Sequence, residues 1–425
     1  MQKQDRLHAL DAVRAFALLL GIVLHAAMSF VPGIGTVRWP IVDNSPSTAL
    51  GVTFLVIHIF RMTTFFMVAG FFARMVFHRK GVRGFVIDRG KRILVPLVVG
   101  WIALIPLTIA IMFSAASKLG KPFRPPAPAD AVLMFPLAYL WFLYVLLVLY
   151  VLFLSGCWVL IRLLDRDGHF RHRIDTLVRW MTRTPLSAVL LALPVAVSLY
   201  TYKAWYIRGG IPTPDYSLVP NLPAMIGYGT AFAFGWLLQR QPGLLRCLER
   251  QWVAHVLAAL VLTAICLSIA GSSFVAPSPT LDAETRMIYA ASYCVASWCW
   301  TLGITGAALR FLSNESPTMR YLADSSYWLY LLHIPLVFAL QVIVMQWNIH
   351  WSIKFPLILT VAGSLLVLSY HYFVRSSYIG EVLNGRRYAR SPFWGFPGAN
   401  SLHDAQTADN PLISGSGGNP SGPSS

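Results

Sequence analysis

The chain has 425 residues, 56% hydrophobic and only 12% charged, about half the roughly 25% charged share of a soluble globular chain. Its formal net charge is +17, but the basic residues fall in short stretches between apolar runs. That pattern argues against a nucleic-acid partner and for contact with membrane lipids. The five cysteines (Cys157, Cys247, Cys266, Cys294 and Cys299) show no ligand spacing, so no disulfide framework and no metal site are expected.

Apolar runs of about 20 residues, the length that crosses a bilayer, recur along the chain. They predict an all-α fold, a polytopic transmembrane bundle of about ten helices. The predicted spans are 9–30, 49–77, 92–113, 132–158, 185–200, 221–238, 253–271, 285–309, 323–346 and 352–374. The fifth is the shortest. The first span follows MQKQDR as a signal peptide would, but Asp11, Arg14 and His25 interrupt it and no small-residue cleavage site follows. It is read as a retained helix.

With the amino terminus in the cytoplasm, 23 Lys and Arg lie in cytoplasmic segments against 7 in the opposite ones. This bias places both termini inside, in a multi-pass protein of a bacterial-type inner membrane. Residues 1–375 form the expected membrane domain. Residues 376–425, rich in Ser, Gly and Pro and ending GSGGNPSGPSS, are expected to be a flexible cytoplasmic tail. The outward stretches VPGIGTVRWP, KPFRPPAPAD and TYKAWYIRGGIPTPDY hold Trp and Tyr. Such residues more often form an interfacial belt, and they also suit stacking on sugar rings. No internal repeat is evident, which disfavours an inverted-repeat transporter.

In the first span Arg14 and His25 are eleven residues apart, about three turns, so they share a helix face roughly 16 Å apart along the axis. That face must look into the protein or a wet cavity. The bland alternative pairs Arg14 with Asp11, or lets it snorkel to lipid phosphate, and leaves His25 an interhelical hydrogen bond. In the second span His58 and Arg61 face the same way, and Arg61 falls near mid-membrane, where snorkelling is hard. It suits an anionic substrate group, or it bridges helix carbonyls. Gly70 suits close helix approach.

The stretch 78–92 then gathers Arg79, Lys80, Arg83, Arg89, Lys91 and Arg92. Such a cluster is usually topogenic and contacts anionic lipid. Arg89 and Arg92, one turn apart at the expected start of the third helix, would also favour phosphates, with the helix dipole helping. A cytoplasmic phosphorylated cofactor is the natural ligand. Further on, Trp141 opens the fourth helix, and Tyr330 and His333 share a face of the ninth. His371 lies in the tenth. A lone intramembrane His is more often a hydrogen-bonding core residue than a catalyst.

Together these segments resemble the membrane-bound acyltransferase-3 family over about 370 residues. The resemblance rests on Arg14 with His25 after ten intervening residues, and on Arg89 to Arg92 as Arg-x-x-Arg. It also rests on Leu-Trp-Phe-Leu at Leu140 to Leu143 and Ser-Tyr-Trp-x-Tyr-x-x-His at Ser326 to His333. LDAVRAFALLLGIVLH and FRMTTFFMVAGFFARM look closest to a branch linked to succinylation of periplasmic glucans. Tyr139 stands where the family often has His.

The resemblance implies transfer of an acyl group, succinyl or acetyl, from cytoplasmic acyl-CoA to a hydroxyl of a periplasmic glucan or other extracytoplasmic carbohydrate. Acyl-CoA would be a co-substrate, with no permanently bound cofactor. Arg89, Lys91 and Arg92, aided by Arg14, would hold the CoA phosphates, and Arg14 is also expected among the catalytic residues with His25 and Arg61. His25 would act as general base and Arg61 would stabilise the oxyanion or bind a succinyl carboxylate. His58, Trp141, Tyr330 and His333 are candidate substrate contacts. A homo-oligomer is compatible with this reading. The competing class is a transporter of an organic anion or a glucan-export component, which needs no phosphate-binding pair.

Overall fold

The computed structural model describes residues 5–36, 39, 41–120, 134–165, 167–184, 186–273, 281–385 and 387–388. Among these the chain is helical, with no strand beyond an isolated bridge between Met134 and Ser217. The helices are α1 (Asp5–Met28), α2 (Thr48–Arg89), α3 (Val95–Lys118), α4 (Trp141–Val159), α5 (His169–Arg183), α6 (Ser187–Thr201), α7 (Leu222–Arg240), α8 (Leu245–Ala270), α9 (Ala283–Phe311), α10 (Pro317–Val344), α11 (Trp351–Ser369) and α12 (Tyr378–Asn384). Each of the ten predicted spans falls on one of them. Seven helical runs are long and apolar enough to cross a bilayer, or eight if α5 and α6 count together.

The run from Thr48 to Lys118 is helical over 71 residues. Straight, it would measure about 107 Å at 1.5 Å per residue, over three times the ~30 Å hydrocarbon core. It must turn back. Gly81, with φ 65° and ψ −176°, is the one residue inside α2 with non-helical dihedrals, a backbone that only glycine adopts readily.

The third helical segment therefore starts just past Gly81 rather than at residue 92. A π-turn, Gly90–Leu94, joins its first part to α3. Arg89 and Arg92 consequently lie inside a helix. The helix-dipole contribution expected at their position is absent, because the backbone N–H groups there are already bonded within the helix.

α1 is central, packing on α2, α9, α10 and α11, while α2 also lies on α7. There the backbones touch: a Cβ on Gly70 would sit 2.1 Å from the Phe232 carbonyl oxygen, which accounts for the glycine. The outer faces are apolar and exposed, as at Val98, Val99 and Ile102 on α3 and Leu257, Leu260 and Val261 on α8, a surface that suits lipid and not water. α5 covers the stretch expected as a basic cytoplasmic segment. It is amphipathic, with Arg173, Arg179 and Arg183 exposed and Val178 and Thr182 buried, and Arg240 clamps it through a two-pronged bond to Asp175 (2.7 and 2.6 Å).

The ordered chain extends past the expected boundary at 375. α12 folds back so that Arg92 donates to the Asn384 carbonyl (2.9 Å) and the Tyr388 hydroxyl donates to Asp324. Residues 389–425 of the expected tail, and the stretch KPFRPPAPAD, lie outside the described residues.

At the opposite end from this basic cluster, Lys354 on α11 is completely buried. It donates to Asp43 (2.9 Å) and Asn44 (2.7 Å), with side-chain exposures of 0% and 1% for the ion pair. This pair anchors residues 41–47 to α11. Removing one partner strands a buried charge, at a typical cost of about 3–5 kcal/mol. Lys354→Met is expected to lower the melting temperature of purified protein sharply, and Asp43→Asn added to it should recover most of the loss.

Candidate functional site

One cavity of about 1510 Å³ runs between α1, α2, α3, α4 and α10 and reaches the segment 202–222. A ligand pocket is usually about 300–1,000 Å³, so this one has room for two substrates. At its basic end it is lined by Arg14, Arg89, Arg92, Asp324 and Asn384. Along its middle stand Arg61, Trp141 and Tyr330, and at its far end His25, Trp39, His58 and His333.

A single carboxylate organises the basic end. Asp88, whose side chain is 6% exposed, sits 2.6 Å from Lys80, 3.6 Å from Arg89 and 3.7 Å from Arg92. Of the three cations around this one anion, Arg89 and Arg92 line the cavity. Arg89 is further fixed over the rings of Phe85 (5.4 Å) and Tyr150 (5.6 Å), a cation–π shelf that orients its donors. Lys91, expected to join them, is exposed and does not line the cavity. Its position in the π-turn points it away from the other two.

Arg14 belongs to the same end. It pairs with Asp11 (3.2 Å) and donates to the Ala323 carbonyl (3.1 Å), so the bland pairing read from the sequence holds and the residue lines the cavity as well. Arg14 and His25 do share a face. At about 16 Å along the axis, Arg14 belongs with the phosphate-type cations and not with the reacting atoms around His25.

Mid-cavity, the Arg61 guanidinium rests against α1 where Gly21 leaves room. A Cβ at that position would lie 2.5 Å from Nη1. Among the described residues Arg61 has no hydrogen bond or ion pair, and its buried Nε has no partner. It therefore does not bridge helix carbonyls. A cation set inside the bundle without a counter-charge is costly.

At the far end two imidazoles meet, His25 and His333, with ring centroids 5.2 Å apart. His333 donates through Nδ1 to the Tyr330 carbonyl (2.6 Å), which leaves Nε2 as the bare acceptor. That Nε2 and His25 Nδ1 are both buried without partners. α10 fixes the backbone beneath: Gln341 donates to the carbonyls of His25 (2.9 Å) and Ala26 (3.1 Å). The Tyr330 hydroxyl donates to the Tyr139 carbonyl (2.7 Å), and the Tyr139 hydroxyl donates to the Leu331 carbonyl (3.0 Å). Tyr139, in the turn that leads into α4, thus ties the start of α4 to α10 beside the imidazoles.

His58 lines the cavity but is held structurally, donating through Nε2 to the Gly209 carbonyl (2.8 Å). Trp141 is stacked on Tyr228 at 5.4 Å and mostly buried. His371 packs against Tyr321 outside the cavity. Sequence reasoning missed Asp88, Gly21 and the Lys354–Asp43 pair, and left Trp39 between the lipid interface and a sugar ring. Two of these had a visible signal: the single acid among the bases of 79–92, and a lysine inside an apolar span.

Comparison with known proteins adds a family. The acyltransferase-3 family model, described as an acyltransferase domain, matches residues 7–370. The curated proteins named "Glucans biosynthesis protein C" from Salmonella heidelberg and Salmonella agona are each 33% identical over 92 residues. That alignment covers 22% of this chain and 23% of each relative, so the chain spans about a quarter of the length of the curated relatives it matches. No solved structure matches.

Proposed function

The chain belongs to the acyltransferase-3 family and is a membrane acyltransferase, and on that premise we propose an O-acyl transfer. The donor is acyl-CoA, carrying succinyl in preference to acetyl, and the acceptor is a hydroxyl of a periplasmic glucan or other extracytoplasmic carbohydrate. The observation that carries this reading is the single cavity joining Arg89 and Arg92 to His25 and His333. A pore for one small anion needs no such basic rim, and the room for two ligands favours a two-substrate reaction over transport.

In this reading the basic end faces the cytoplasm of an inner-membrane protein, and Arg89, Arg92 and Arg14 grip the CoA phosphates with charge-assisted bonds. The thin pantetheine arm follows α1 and sets the thioester beside His25. The acceptor hydroxyl gives its proton to His25 as its oxygen attacks the thioester carbonyl carbon. Arg61 faces the charge of the resulting oxyanion or of the acyl group's own carboxylate. Collapse breaks the C–S bond, and the leaving thiolate takes the proton back from the imidazolium. His333, with its tautomer fixed by the Tyr330 carbonyl, keeps a lone pair turned towards this exchange.

Succinyl is preferred because the unpaired Arg61 guanidinium gains a counter-charge from a carboxylate-ended acyl group and none from acetyl. The test is full-length protein in detergent with labelled succinyl-CoA or acetyl-CoA and a β-glucan oligosaccharide. Label should move into the oligosaccharide, faster from succinyl-CoA. No transfer from either donor would defeat the assignment.

A further inference from the structure

We propose that Trp39 forms the subsite for the sugar ring of the acceptor; this deepens the acyl-transfer reading and rests on it. From sequence, the tryptophan of VPGIGTVRWP suited the lipid interface or stacking on a sugar ring. In the structure it lies inside the cavity, with its indole within 10° of parallel to the His25 imidazole at 6.0 Å between centroids. Phe338 braces it edge-on at 4.7 Å.

Its Nε1–H is buried and has no hydrogen-bond partner among the described residues. An indole nitrogen can only donate, and a buried donor left unpaired is costly. The missing partner is therefore an acceptor atom arriving with a ligand. A sugar ring supplies both complements to this side chain: a C–H face for the apolar ring and hydroxyl oxygens for the N–H.

Position selects the acceptor over the donor's nucleotide. Trp39 stands at the end remote from Arg89 and Arg92, beside the imidazole that takes the hydroxyl proton. The described residues that follow, from Ile41, are anchored to the bundle. Four residues on, Asp43 receives the buried Lys354 bond, and its own N–H donates to the Ser29 carbonyl (2.9 Å). Asn44 N–H donates to the Met345 carbonyl (3.1 Å). The otherwise unused ion pair thus acquires a purpose, which is to hold the platform that orients the acceptor over His25.

The experiment uses full-length protein in detergent, saturating succinyl-CoA and varied β-glucan oligosaccharide, alongside equilibrium binding of the oligosaccharide without donor. Trp39→Phe, which keeps the ring and loses the N–H, should raise the oligosaccharide KM and Kd about tenfold. The KM for succinyl-CoA should not move. Trp39→Ala should weaken oligosaccharide binding further. Unchanged oligosaccharide KM and Kd in Trp39→Phe would overturn the assignment. So would a fall in kcat alone, for water and sugar equally, which would make the N–H an oxyanion donor instead. If the wild-type protein moves no acyl group to any oligosaccharide yet the Trp39 variants weaken binding, the acyl-transfer reading fails while the sugar subsite stands.

Discussion

His25→Ala is expected to lower acyl transfer by about 10²–10⁴-fold, the usual contribution of a positioned general base, while leaving the fold intact. The side chain faces the cavity, and its Nδ1 makes no bond that the fold depends on. The bonds that hold this turn of α1 run from Gln341 to backbone carbonyls and survive the substitution. The change in stability should therefore be modest, limited to the lost ring packing against Trp39 and His333. Initial rates with succinyl-CoA and thermal melts of the same preparation read the two effects separately. A His25→Ala protein that keeps more than a tenth of the rate, beside an inactive His333→Ala, would move the base to the other imidazole.

Arg61→Met should separate activity from stability in the opposite sense to a structural residue. Preorganised charge at a developing or resident anion is typically worth about 10²–10³-fold in kcat, so succinyl transfer should fall by that order. Transfer from acetyl-CoA should fall less, because it brings no carboxylate for the guanidinium to meet. Stability should hold or rise, since methionine of similar length removes a buried cation that has no partner among the described residues. A melting temperature several degrees lower would show that the guanidinium supports the bundle. An equal fall for both donors would leave Arg61 only with the oxyanion. Gly21→Ala offers a graded version, because its new methyl would press on Nη1 and displace the charge without deleting it.

The resemblance to the acyltransferase family was readable before any coordinates, because its motifs are short and local: Arg14 with His25, Arg89 with Arg92, Ser326 to His333. The roles within those motifs were less readable. The predicted third span begins at residue 92, which puts the Arg89–Arg92 pair at a helix start. The chain instead reverses at Gly81 and runs helically through Gly90, since a π-turn carries it across GKR without breaking the backbone ladder. Lys91 looked equivalent to its neighbours, but one residue on a helix is a rotation of about 100°, enough to take it out of the cavity.

What the sequence determined by itself was everything carried by neighbours along the chain. Hydropathy over twenty residues settles the helices and their membrane setting, and a spacing of eleven settles that Arg14 and His25 share a face, because both follow from the geometry of one helix. The tertiary structure alone decided which polar groups find partners. Arg61 stays unpaired, Lys354 meets Asp43 across 311 residues of chain, and Trp39 turns inward to His25. Whether a buried donor or charge is satisfied depends on atoms brought within about 3 Å by packing, and no local pattern of residues encodes that distance.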